Sequence, residues 1–61
     1  MEVIVPIEEA EGYAISESKK IYAPFNRKDL VKSISENEVA LYTKGVWKNF
    51  KIDYLWNKAF N

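Results

Sequence analysis

The chain has 61 residues, 48% of them hydrophobic and 15% aromatic, with nine basic and nine acidic side chains and neither cysteine nor histidine. A length of this order allows one small domain that buries only about 60% of its unfolded surface, and without cysteine no disulfide or thiolate metal site can staple it. The missing histidine removes the commonest metal ligand and the commonest general base, so the usual nucleophile–base pairs cannot be assembled.

The first segment, Glu2 to Ile7 (EVIVPI), reads as an apolar strand. Pro6 cannot donate to a ladder, so this strand either lies at a sheet edge or stops pairing there. Glu8 to Gly12 is a charged connection ending in a turn. Tyr13 to Ser16 and Ile21 to Ala23 are two further short strands, joined by the polar tip Glu17 to Lys20 and stopped by Pro24. Residues 2–23 therefore predict a three-stranded meander with Tyr13, Ile15, Ile21 and Ala23 facing inward.

Asn26 and Asp29 have the spacing of a helix N-cap and its N3 partner, and Phe25 with Leu30 has that of a hydrophobic staple. Leu30, Val31 and Ile34 share one helical face. A helix is predicted from about Arg27 to Ser35, its basic residues Arg27, Lys28 and Lys32 forming a solvated face.

Glu38 to Trp56 (EVALYTKGVWKNFKIDYLW) holds both tryptophans and alternates as a β-hairpin turning at Lys44-Gly45. A two-residue loop there, or a four-residue loop from Thr43 to Val46, sets Tyr42 opposite Trp47, Val39 opposite Phe50 and Glu38 opposite Lys51. A three-residue loop would set Val39 against Asn49 and Glu38 against Phe50. The first register is preferred for its two apolar pairs and one opposite-charge pair. Val39, Leu41, Val46, Phe50, Ile52 and Tyr54 then form the buried floor. Trp47 takes the other parity, with Asn49, Lys51 and Asp53. The tail carries two periods at once. Phe50, Ile52, Tyr54 and Trp56 fit a strand, whereas Ile52, Leu55, Trp56, Ala59 and Phe60 fit a helical stripe with Asp53 as a cap. Aromatic and β-branched density favours strand to about Tyr54, with room for a short final turn of helix.

The resulting order is β-β-β-α-β-β: a small single α+β domain over residues 1–61, with an antiparallel curled sheet of four or five strands and one short helix packed on it. No internal repeat or low-complexity tract interrupts it. No apolar run approaches the roughly 18 residues that span a membrane. The opening Met-Glu-Val lacks the pattern of a signal peptide, so a cytoplasmic setting is expected.

Function is expected to be binding and not catalysis. Gly12 and Gly45 are isolated and form no phosphate loop. Glu8, Glu9 and Glu11 lack the spacing of a Ca²⁺ or Mg²⁺ loop and read as a solvated charge run. No cofactor, metal or small-molecule substrate is expected. The charge is uneven: residues 1–18 carry five glutamates and no base, a net −5, and residues 19–61 carry nine bases against four acids, a net +5. Either these cancel between neighbours in the fold or they form an acidic and a basic face. Tyr42 and Trp47 on a polar face exceed what the first core needs, so they form either a second small core under the N-terminal strand or a binding surface. With Lys44, Lys48, Lys51 and Trp56 they are the candidate partner-binding residues. A protein partner, or a second copy in a homo-oligomer, suits paired Trp and Tyr, which bury much area at small entropic cost. Single-stranded nucleic acid is the alternative, with rings stacking bases and Lys48 and Lys51 meeting phosphates.

Overall fold

The computed structural model describes residues 2–61 as a small α+β fold of two three-stranded antiparallel sheets and one C-terminal helix. The first sheet is the expected meander, β1 (Ile4–Pro6), β2 (Ala14–Ser16) and β3 (Ile21–Tyr22), paired Val5 to Ile15 and Ile15 to Ile21. Pro6 does lie on an edge strand, where its missing N–H costs nothing. Gly12 closes the β1–β2 loop at φ 89°, and a Cβ there would lie 2.8 Å from Pro24 Cγ, so both the turn and the close packing need glycine.

The second sheet is β4 (Val31–Ser35), β5 (Glu38–Thr43) and β6 (Val46–Lys51), in that order. The β5–β6 register is the expected one: Tyr42 opposite Trp47, Val39 opposite Phe50, Glu38 opposite Lys51. Lys44 at φ 51° and Gly45 at φ 83° are both left-handed, the geometry of a two-residue I′ turn, whose twist matches that of the flanking strands.

The helix expected over 27–35 is absent. Pro24–Asn26 and Lys28–Leu30 are single 3₁₀ turns, and Val31–Ser35 is strand β4, paired Val31 to Leu41 and Ser33 to Val39. The local capping signals are overruled by pairing. Val-Lys-Ser-Ile-Ser is poor in helix formers, and β5 offers it a ladder and an apolar floor. Asn26 caps nothing, and Asp29 instead pairs with Arg27 at 2.7 Å. Leu30 and Val31 pack against the core, but Ile34 falls on the outer parity beside a bulge between Ser33 and Ser35 and is exposed.

The helix is instead α1 (Ile52–Phe60), so the strand expected to continue to about Tyr54 stops at Lys51. Its cap comes from elsewhere in the chain. Ile52 N–H donates to the Asn37 carbonyl at 2.8 Å and Asp53 N–H to Asn37 Oδ1 at 3.2 Å, satisfying two of the otherwise orphaned amides of the first turn. Asp53 adds a carboxylate at the positive end of the helix. The single curled sheet is thus replaced by two sheets, because the residues assigned to the helix supply a sixth strand and the tail supplies the helix.

Ile7, Ala10 and Tyr13 from the β1–β2 connection, Ile15 from β2, Val39 and Leu41 from the second sheet, and Leu55 from α1 form one buried cluster. Ile21, Ala23, Phe50, Ile52 and Trp56 pack around it. Val46 and Tyr54, expected in the floor, are exposed: Val46 sits at the hairpin tip, and the start of α1 turns Tyr54 outward. Tyr13, 2% exposed, ties the halves together. Its hydroxyl donates to the Leu30 carbonyl at 2.6 Å and accepts from Tyr42 N–H at 3.0 Å. Among the described residues no helix is long and apolar enough to cross a membrane.

Candidate functional site

Strand alternation divides the second sheet into two faces. Val31, Val39, Leu41 and Thr43 look into the core. Lys32, Ile34, Ala40, Tyr42, Trp47, Asn49 and Lys51 lie on the outer parity. Tyr42 and Trp47 meet there as a cross-strand pair, ring centroids 5.4 Å apart and planes 65° apart, the edge-to-face arrangement that ring quadrupoles favour. Lys32, on β4 across the intervening strand β5, places its Nζ 4.5 Å from the Trp47 ring centroid. That is within cation–π range. The two rings remain 42% and 39% exposed. Ala40, on the same parity, is buried between larger neighbours, so the face has a low centre framed by rings and lysines.

The candidate residues do not all converge. Tyr42, Trp47 and Lys51 share the outer face. Lys51 stands opposite Glu38, yet the two form no salt bridge. Lys48 pairs with buried Leu41 and so takes the other parity from Trp47. Lys44 occupies the turn and lines a cleft of about 450 Å³ with Glu8, Glu9 and Glu11. Trp56 lies on α1 and is half-buried. Its Nε1 donates to the Glu17 carbonyl at 2.9 Å, Phe60 lies 5.3 Å away, and Lys19 Nζ is 5.5 Å from its ring. Trp56 therefore fastens the helix to the β2–β3 turn. Lys32 is the member that sequence reasoning missed. The alternation Val31-Lys32-Ser33-Ile34 was the available signal, hidden by the assignment of those residues to a helix.

Charges partly cancel and partly segregate. Lys58 Nζ and the Tyr54 hydroxyl both donate to Glu9 Oε2, at 2.9 and 2.6 Å. The Tyr54 hydrogen bond and then the Lys58 ammonium hold the Glu9 carboxyl below its ordinary value, and Glu9 with Tyr54 raises that of Lys58. Lys19 pairs with Asp53 at 2.9 Å. Among the described residues, Lys20, Lys28, Lys32, Lys44, Lys48 and Lys51 make no salt bridge. No group of three or more acidic side chains among the described residues could hold a metal ion. Comparison with family models, curated proteins and solved structures returns no match to this chain.

Proposed function

We propose that this protein is a small non-catalytic binding module that recognises another protein through the outer face of β4–β6. The observation that carries the reading is the Tyr42–Trp47 pair, ordered edge to face under Lys32 yet about two-fifths exposed. Rings held in place before binding lose little entropy on contact, which is why Trp and Tyr dominate interface hot spots. Lys32 beside them, and Lys51 farther along the same face, suit a partner whose apolar contact is rimmed by carboxylates. The cysteine-free sequence supports a cytoplasmic setting for this role.

Single-stranded nucleic acid is the second reading, supported by two lysines and two rings on one face. It is the weaker one, because a base stacking on Trp47 must first displace the Lys32 ammonium. Affinity capture from a lysate of the source, with wild type beside Trp47→Ala and Tyr42→Ala, tests the first reading. Circular dichroism verifies that each variant is folded. A captured protein lost with both variants supports the face, and an identical capture profile refutes it. An oligothymidine titration that quenches tryptophan emission at low salt, and weakens as salt rises, would transfer the face to nucleic acid.

A further inference from the structure

Phe25 is 92% exposed, more than any other large apolar side chain described. Its backbone lies in the left-handed region at φ 55°, ψ 26°, a conformation that a bulky side chain rarely adopts. No ring or ammonium group among the described residues pairs with it. A phenyl ring held in water on a strained turn adds no packing to this fold, and such strain persists where a site uses it.

Beside that turn runs a groove of about 530 Å³ along the seam between the two sheets, where β3 and β4 are both edge strands. Ile21, Ala23 and Val31 are the apolar part of its lining, and Lys20 and Lys28 also line it. Asn26, the residue after Phe25, belongs to the same wall. Knob and hole are thus one residue apart on a single patch. A two-fold interface needs this arrangement, because the same surface must be complementary to itself.

We propose that Phe25 of one copy enters the groove of a second copy, and the reverse, in a two-fold dimer. The groove is wide enough for an aromatic side chain, which brings some 150–250 Å² to bury. Lys20 and Lys28, which have no salt bridge among the described residues, gain a ring face to sit against. The fold already uses that contact three times, with Lys19, Lys32 and Lys58 over Trp56, Trp47 and Tyr54. The same lysines from both copies repel one another, so added salt leaves the dimer unchanged or strengthens it. An acidic partner in the groove would show the opposite dependence.

The proposal uses none of the residues of the β4–β6 face and is tested separately from it. Sedimentation equilibrium and methyl NMR over about 10 µM to 1 mM, the range suited to a small interface, compare wild type with Phe25→Ser and Trp47→Ala. Wild type and Trp47→Ala are expected to dimerise reversibly. The Ala23 and Val31 methyl resonances should move upfield with concentration under the Phe25 ring current. Phe25→Ser, whose altered side chain meets only water, should keep its fold and bind itself roughly a thousandfold more weakly, about thirtyfold for each of the two anchors that the two-fold removes. A wild type that stays monomeric throughout overturns the proposal. So does a dimer that survives Phe25→Ser, and loss of that dimer in Trp47→Ala would assign association to the sheet face.

Discussion

Removing one oxygen from Tyr13 should destabilise this protein more than removing any salt bridge. The Tyr13 ring is 2% exposed, and its hydroxyl stands between the Leu30 carbonyl, 2.6 Å away, and the Tyr42 amide, 3.0 Å away. Phenylalanine keeps the packing and deletes both hydrogen bonds. A typical hydrogen bond contributes about 1 kcal/mol net, and a partner left dry and unpaired costs about 1–3 kcal/mol. Both partners here are only part-buried, so water recovers some of that, and Tyr13→Phe should cost about 2–3 kcal/mol. A core of this size seldom supplies more than about 3–5 kcal/mol, so about half of the stability or more hangs on one hydroxyl. At roughly 8 °C per kcal/mol for a chain this short, Tm should fall by about 15–25 °C. Urea unfolding followed by tryptophan emission measures the loss directly, with an unchanged m-value showing that the folded state is otherwise intact. A loss below about 0.5 kcal/mol would refute the bridging role.

Asn37→Ala removes one of the two bonds that start α1 and should cost about 1 kcal/mol, with a matching loss of far-UV helical signal on warming. Lys44→Asn replaces a lysine at φ 51° with a residue at ease there, and should raise Tm by about 4–8 °C in calorimetry. Glu9 is depressed in the folded chain, so its contribution is present above about pH 4.5 and is lost as pH falls through the lower folded value. Lys58 is raised, so its share is present below about 10.5 and is lost as pH rises through the higher folded value. Urea midpoints across pH should therefore show an acid limb that flattens in Glu9→Gln, and an unaltered limb would remove Glu9 from the account.

The β5–β6 hairpin was legible because alternation, a glycine and opposite charges at Glu38 and Lys51 all specify one register. The Tyr42–Trp47 pair followed from that register alone. Residues 26–35 misled because their strongest local signals, Asn26 with Asp29 and Phe25 with Leu30, are helical, while the partner that makes them a strand lies at 38–43. The tail was ambiguous for a related reason. Ile52 to Phe60 satisfies both periods up to Trp56, and the group that decides between them, Asn37, lies 15 residues before Ile52. Lys32 could not be placed over Trp47 until β4 was recognised as a strand. The exposure of Phe25 had no signature at all, since an aromatic before an asparagine reads equally well as a staple.

The dependence of α1 on Asn37 carries a consequence for the order of events in folding. Nine residues do not hold a helix alone in water, and this one lacks a cap of its own until the turn between β4 and β5 has closed. The hairpin should therefore form early and the helix late, so that helical ellipticity reports on the turn rather than on the tail. In stopped-flow refolding, a truncating change such as Leu55→Ala should speed unfolding with little effect on the folding rate, whereas Val39→Ala should slow folding. Equal slowing by both would show that helix and hairpin condense together.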